Sequence, residues 1–421
     1  MSKSSSRNNG MKRAKRTYHS NKSGSLSSKR QVKSSSTYSQ REKQGEFHHV
    51  NQPPKPSQPQ SKLSSLIQSS DYTRRPPSTK EKSWKAAVQR YVSLYNQAET
   101  EQHARVLTDF VVDQVHQERL CNRLDRMRER DLLRGALPAG SETKAELVRV
   151  NESTHETSVL LRLHIKRKME QSGTVYMEER YEYERLWLTM SGGQWEVNQV
   201  EPIIAERRPR YGASVQQWGE EEESLEVDSL PLTPSLPYLN YDLMPQFKLR
   251  DRGNRYRRDL VAAYADRWWN AGNPGYETFE DNCTNYVSQC IFAGNAPMNY
   301  TGKRGSGWWY KGRNNGGEWW SFSWSVSNAL SGYLSKGRKT GLQAVVVHSA
   351  DQLQLGDVIT YDWNGDGRFQ HSSIVTAFDS AGQPLVNANT VASRHRYWDY
   401  RDSYAWSKGT KYRFFHITDL L

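Results

Sequence analysis

The stretch Asp281-Asn282-Cys283-Thr284-Asn285-Tyr286-Val287-Ser288-Gln289 decides how this chain is interpreted, because it places a cysteine at the start of a short apolar helix. Val287, Cys290 and Ile291 follow Cys283 at four, seven and eight residues, a spacing that predicts one buried helix face. Asp281 or Asn282 is the expected N-cap. Since a helix N-terminus favours a thiolate, we expect Cys283 to be the reactive sulfur and Cys290 a packed small hydrophobe.

A base for this thiol is predicted at His371, which opens the apolar run 371–378. The run reads as a strand, and residues 355–363 and 385–390 predict antiparallel strands before and after it. In such a meander His371 can face the cysteine helix. Asn387 and Asn389 share one face of the next strand, so either is a candidate to accept a hydrogen bond from the outer imidazole nitrogen. The other histidines of this region, His348, His395 and His416, are interpreted as structural or surface residues.

The segment between the first two of these strands resembles the first half of a calcium loop, through Asp362, Asn364, Asp366 and Gly367. The bidentate glutamate that such loops carry at their twelfth position is replaced by Ser373. We therefore interpret the segment as a turn that directs His371. No metal and no organic cofactor are expected.

Tryptophan is concentrated in the last part of the chain, where ten of the fourteen lie. Four of them sit among Gly, Asn and Lys in sequence typical of loops: Trp308, Trp309, Trp319 and Trp320. They are candidates for an aromatic groove that stacks on a sugar or peptide substrate. The alternative is that these loop side chains fold onto the core.

The basic charge of the chain belongs to its N-terminal tail. Residues 1–82 hold 18 Lys and Arg against 4 Asp and Glu, or +14, whereas the whole chain sums to +13. With few large apolar residues, this segment is predicted to be disordered. It is either a tether to an anionic polymer (nucleic acid, teichoic acid or a membrane surface) or a solvated tail without a specific partner.

The remaining sequence divides into two folded segments and a linker. Residues 83–205 predict a separate small α+β domain of unknown role, with amphipathic helices followed by four antiparallel strands. Residues 206–252 are rich in Pro, Glu and Ser and predict a linker. Residues 253–421 form the last domain, and the fold class predicted for the whole is therefore α+β.

The motifs of the last domain, taken in order, resemble those of the putative amidase family, which is found mainly in Gram-positive and often spore-forming bacteria. The matching stretches are Tyr264–Asn270, Asp281–Cys290, Gly356–Ile359 and Asp362 through His371 to Val375. The family is similar to the CHAP and NlpC/P60 cysteine hydrolases. The resemblance implies a papain-like fold in which the cysteine helix packs on a small antiparallel sheet. It also implies hydrolysis of amide bonds in peptidoglycan or related peptides, with Cys283 as nucleophile, His371 as base and Asn387 or Asn389 orienting it.

Two functions follow from the sequence. The first is a cysteine-dependent amidase or peptidase; the alternative is a catalytically silent protein that keeps the fold and binds cell wall or another partner. No run approaches the roughly 20 apolar residues of a membrane helix, and no apolar segment of a signal peptide is seen. The expected location is therefore the cytoplasm or a developing spore, or the cell wall after release without a signal peptide.

Overall fold

The computed structural model describes residues 82–207, 255–314, 317–339 and 341–421. The predicted tail falls outside these ranges except for residue 82, and so does the predicted linker except for residues 206 and 207. Among the described helices, none has the length and apolarity needed to cross a membrane.

The first described segment, called here the N-terminal region (residues 82–207), is a set of helices on an antiparallel sheet. Its helices are α1 (Trp84–Glu101), α2 (Arg105–Thr108) and α3 (Gln114–Arg134). Its strands are β1 (Ala136–Glu152), β2 (Glu156–Gln171), β3 (Thr174–Ser191) and β4 (Gln194–Pro202), and a 3-10 turn follows at Ala205–Arg207. Apolar residues of α1, α3 and the inner strand faces form one buried core.

The predicted helices and antiparallel strands of this region are present, but β1 begins ten residues before the alternating pattern becomes visible in the sequence. That pattern starts near Glu146, whereas β1 starts at Ala136. Pro138 and Gly140 lie in the early part of β1, where the register to β2 shifts. Pro and Gly are depleted in regular strands, so the sequence signal there is that of a loop.

The second described segment, called here the C-terminal region (residues 255–421), carries four helices and eight strands. The helices are α4 (Arg258–Trp268), α5 (Cys283–Ala293), α6 (Phe322–Ser325) and α7 (Ser327–Leu334), with a 3-10 turn at Ala350–Gln352. Strands β5 (Tyr310–Asn314) and β6 (Gly317–Trp320) form a hairpin. The remaining strands are β7 (Ala344–Val347), β8 (Val358–Asp362), β9 (His371–Phe378), β10 (Pro384–Ala388), β11 (Ser393–Tyr397) and β12 (Lys411–Ile417).

One antiparallel sheet runs through both regions, in the order β1-β2-β3-β11-β10-β9-β8-β12-β7, with β4 also paired to β3. The two regions meet where Ser393 and Arg394 of β11 pair with Arg180 and Glu179 of β3. The predicted meander of β8, β9 and β10 is confirmed by its pairing. The division into domains at residues 205 and 253 stays a prediction.

The sheet of the C-terminal region has a different apolar cluster on each face, which matters for the site. The first cluster, the helix-side core, includes Val287 and Ile291 of α5 together with Val358 and Ile374. The second, the aromatic cluster, includes Ile359, Tyr361, Trp363, Val375 and Tyr400. Neighbouring residues of β8 and β9 therefore face opposite sides, as alternation along a strand requires.

Candidate active site

Cys283 is the first residue of α5, where the sequence placed it. Asn282 is the N-cap, but its side chain makes no capping bond to the helix. Its amide instead donates to Asn389 Oδ1 at 2.8 Å, and its Oδ1 accepts from Asn285 Nδ2 at 2.8 Å. The helix start is thus fixed by contacts to the end of β10 and within α5.

The Cys283 side chain is 5% exposed and lies among polar groups. Its sulfur is 3.7 Å from Thr284 Oγ1, and the Thr390 side chain and the Ser372 backbone also interact with it and lower its pKa. The Cys283 backbone N–H donates to Thr390 Oγ1 at 2.9 Å. Three polar groups therefore surround one sulfur.

The ionisation of this thiol differs from the sequence expectation. Burial raises the pKa of Cys283, with a smaller contribution from the negative charge of Asp281, while the hydrogen bonds from Thr390, Thr284 and Ser372 oppose the rise. The free energy lost when the thiolate is removed from water exceeds the stabilisation that these hydrogen bonds provide. The expectation that the helix start makes this thiol easy to ionise is therefore wrong for this conformation.

His371 is the first residue of β9, as expected, but its ring faces away from α5. It is 1% exposed and lies in the aromatic cluster, with ring centroids 5.5 Å from Tyr361, 5.9 Å from Trp363 and 5.3 Å from Tyr400. The next residue, Ser372, faces α5, where its hydroxyl is 3.3 Å from Thr284 Oγ1. Within the described residues no hydrogen bond joins Cys283 to the His371 ring.

The electrostatics of His371 follow from this environment. Burial, and then the positive charge of Arg396, lower the pKa of His371 to about 3. Its Nε2 lies 3.3 Å from the Tyr400 hydroxyl, whereas its buried Nδ1 has no hydrogen-bond partner in the described part of the chain. The imidazole is therefore neutral at physiological pH and keeps one nitrogen unused.

Neither candidate for orienting His371 contacts it. Asn387 Oδ1 accepts from Thr376 Oγ1 at 2.8 Å, and its amide donates to Asp266 Oδ1 at 2.9 Å. The Asn389 amide donates to the carbonyl oxygens of Trp268 at 3.1 Å and Trp269 at 2.8 Å. Both amides thus connect β10 and the residues after it to the end of α4, on the face of the sheet that carries α5.

Three of the four groove candidates lie in the core, which is the second of the two alternatives that the sequence left open. Trp308 and Trp309 are 0% exposed and Trp320 is 1% exposed. Trp308 Nε1 donates to Ser288 Oγ of α5 at 3.0 Å, and Trp320 stacks on Tyr310 at 5.8 Å. Trp319 keeps part of its surface accessible.

The loop that resembled a calcium site is a turn. Asp362 Oδ1 accepts from the backbone N–H of Gly365 at 2.8 Å, and its Oδ2 accepts from that of Gly367 at 2.7 Å. This carboxylate is 0% exposed and is already bound by the loop itself. Among the described residues, no group of His, Cys, Asp and Glu is arranged to hold a metal ion.

The sequence did not predict Thr390 and Ser372 as neighbours of Cys283, or Tyr400 as a neighbour of His371. Thr390 and Ser372 reach the sulfur from positions 107 and 89 residues further along the chain, and Tyr400 reaches His371 from 29 residues away. Contacts of this range depend on how the strands are ordered in the sheet, which local patterns do not specify.

Comparisons with known proteins concern the C-terminal region. Residues 255–415 match the family model described as "Putative amidase domain". A Bacillus subtilis (strain 168) protein named "Uncharacterized protein YhbB" is 51% identical over 168 residues, which are 40% of this chain and 52% of that protein. The chain therefore spans about half the length of this relative.

Among solved structures, the intermembrane space region of the chloroplast protein ARC6 matches with 14% identity and a TM-score of 0.22, over 28% of this chain and 92% of that one. Residues 255–415 of this chain thus match the model of the family that the order of their motifs predicted.

Proposed function

We propose that the C-terminal region hydrolyses an amide bond with Cys283 as the nucleophile, and that its substrate is bacterial peptidoglycan or a related peptide. The observation that supports this most is the sulfur of Cys283 at the start of α5, with Thr284, Thr390 and the Ser372 N–H around it. The family match covers all of these residues. By contrast, Cys290 is 0% exposed within the apolar helix-side core.

The proposed reaction has two steps. The Cys283 sulfur loses its proton to His371 and attacks the amide carbon, which forms a tetrahedral oxyanion. The C–N bond then breaks, the proton passes to the leaving amine, and a thioester to Cys283 remains. Water attacks the thioester, releases the acid and returns the thiol. The Cys283 N–H is the proposed oxyanion donor, and Thr390, which now accepts from it, must yield to the substrate oxygen.

Catalysis by Cys283 and His371 requires a rearrangement of the chain. The His371 ring must reach the sulfur in the substrate complex, although the structure holds it on the other face of β9. The two residues are connected at the backbone: Ser327 Oγ donates to the His371 carbonyl oxygen at 2.8 Å and accepts from the Ser372 hydroxyl at 2.8 Å. Catalytic hydrogen bonds are often incomplete before substrate binds. A papain-like arrangement, with α5 packed on the antiparallel sheet, is part of this proposal.

A second candidate function is favoured by the same geometry. A catalytically silent binding protein would keep a buried thiol with a raised pKa and a histidine that faces away from it. In that case the region would bind cell wall or another partner through its fold alone.

The test is hydrolysis of purified muropeptides, read by mass spectrometry, with the full chain. We expect the wild type to cleave and Cys283→Ala to lose cleavage by at least about a hundredfold, because no thiol remains to form the thioester. Cys121→Ala is the matched control, since Cys121 is an exposed free thiol on α3. Equal cleavage by the wild type and Cys283→Ala would reject Cys283 as nucleophile, and binding without cleavage by either would favour the silent protein.

A further inference from the structure

His371 has few hydrogen-bond partners, so they can be used to infer which ring nitrogen carries the proton. Within the described residues, the Tyr400 hydroxyl is the only group that hydrogen-bonds the ring, at 3.3 Å from Nε2, and Nδ1 has no partner. The same hydroxyl lies 3.2 Å from Ser393 Oγ. Burial raises the pKa of Tyr400, so the phenol keeps its proton.

Two arrangements of these protons are open. If Tyr400 donates to Nε2, the imidazole proton is on Nδ1, and a buried N–H has no acceptor. If Nε2 donates to the Tyr400 oxygen, Tyr400 donates in turn to Ser393, and Nδ1 keeps a bare lone pair. Buried N–H groups without an acceptor are rarer in proteins than acceptors without a donor. The second arrangement is therefore favoured.

Tyr400 is held in place by charged groups that do not touch His371. The Arg396 guanidinium lies 4.0 Å from the centre of the Tyr400 ring. Arg396 is fixed by Asp402 at 2.9 Å and by Glu206 at 3.2 Å. Tyr400 has a φ of +54°, a backbone conformation that a non-glycine residue keeps only when its surroundings enforce it.

The N-terminal region completes this support through Asp402. Arg123 Nε donates to the Asp402 carbonyl oxygen at 2.5 Å. The Asp402 carboxylate lies 3.4 Å from Arg130 and 3.8 Å from Arg180. All three arginines are at most 3% exposed, so their contacts are shielded from solvent. The position of the Tyr400 hydroxyl is thus set by both regions of the chain.

From these contacts we propose that Tyr400 is the positioning residue of the His371 imidazole: its oxygen accepts the Nε2 proton and leaves Nδ1 as the basic nitrogen. This is the role that the sequence assigned to Asn387 or Asn389. The inference rests on the proposed function in one respect only, that His371 is the base. The position of the imidazole proton belongs to the folded chain and is measurable without substrate.

The test is ¹⁵N NMR of the full chain labelled at histidine, which distinguishes a protonated from an unprotonated ring nitrogen. His371→Gln identifies the signals of His371 among the eleven histidines. In the wild type we expect the proton on Nε2, and in Tyr400→Phe we expect a shift of the tautomer population towards Nδ1–H. Tyr361→Phe is the matched control, because its ring also packs on His371 while its hydroxyl bonds Ser373 and the Trp398 carbonyl oxygen.

Three results would overturn the inference: a wild-type proton on Nδ1, a Tyr400→Phe spectrum equal to that of the wild type, or an equal shift in Tyr361→Phe. Retained cleavage by Cys283→Ala would defeat the proposed function but would leave the NMR result standing. The two failures are therefore distinguishable.

Discussion

At the scale of the residue, Cys283 shows both what the sequence could predict and where it stopped. Its place at the start of α5 follows from the apolar spacing after it. Its raised pKa does not, because burial is produced by the whole packed fold, and Thr390 and Ser372 arrive from distant strands. The local sequence pattern predicts where the helix starts, but it does not predict how deeply that start is buried.

Alkylation of the three thiols provides a test of this environment. With iodoacetamide near neutral pH, we expect the folded chain to react in the order Cys121, Cys283, Cys290. Cys121 is exposed, Cys283 is 5% exposed with a raised pKa, and Cys290 is 0% exposed. Peptide mapping by mass spectrometry gives the order. Faster labelling of Cys283 than of Cys121 would show that the resting thiol is more accessible or more acidic than the structure has it.

His371 predicts a dependence of stability on pH. Its pKa is lowered to about 3 in the folded state, whereas an unfolded histidine has a pKa near ~6.5. Between these values the unfolded chain binds more protons, so this group's contribution to stability is complete above about pH 6.5. It is lost as the pH falls towards 3, by at most ~1.4 kcal/mol per pH unit.

Urea unfolding at pH 7 and pH 5 should therefore show a smaller loss of stability for His371→Gln than for the wild type. His116 is the internal comparison, because burial lowers its pKa to about 4 and it remains in both proteins. Equal losses in the wild type and the variant would show that the imidazole is not buried in its neutral form.

At the scale of the element, the strands β8, β9 and β10 were predictable because apolar runs and turn residues mark them clearly. The side of the sheet that His371 faces was not. Alternation groups His371 with Ser373 and Val375, but which group meets α5 depends on how the helix packs. For this reason the sequence did not predict that the His371 ring faces away from α5.

The turn between β8 and β9 gives a prediction with a control in the same loop. Gly365 and Gly367 have φ of +72° and +88°, so alanine at either should cost about 1 kcal/mol for the left-handed backbone. A Cβ at Gly365 would lie 2.6 Å from the Gly409 carbonyl oxygen, whereas at Gly367 nothing lies within 4 Å. Gly365→Ala should therefore lose a further ~1–3 kcal/mol in urea unfolding. Equal losses would show that the loop relaxes freely.

At the scale of the whole molecule, the arginines of α3 connect the two regions of the chain, a role that the composition of the helix does not indicate. The sequence predicts a charged amphipathic helix, and in the structure Arg123, Arg126, Arg130 and Arg134 lie on one face and contact the C-terminal region. Their partners are the backbone carbonyls of residues 401–403 and the carboxylates of Asp379 and Asp402. Helical spacing shows that these residues share a face, but it cannot show that the face is buried.

Breaking this contact should cost far more than breaking a surface ion pair. Arg130 is 3% exposed between Asp131 and Asp402, so Arg130→Met removes one cation from a buried ion cluster and should lower the free energy of unfolding by about 3–5 kcal/mol. Arg128 of the same helix pairs with Asp125 at the surface, and Arg128→Met should cost below about 1 kcal/mol. Urea unfolding measures both. Similar losses would mean that the two regions are not held together by these charges.

The most direct measurement of the central claim is the capture of the thioester on Cys283. The full chain is incubated with muropeptides, quenched in acid within the first turnovers, digested and mapped by mass spectrometry. The account predicts an acyl adduct on the peptide that contains Cys283, its disappearance on treatment with hydroxylamine, and none on the peptide that contains Cys121. Cleavage of the muropeptides by Cys283→Ala, or an adduct carried by any other residue, would contradict it.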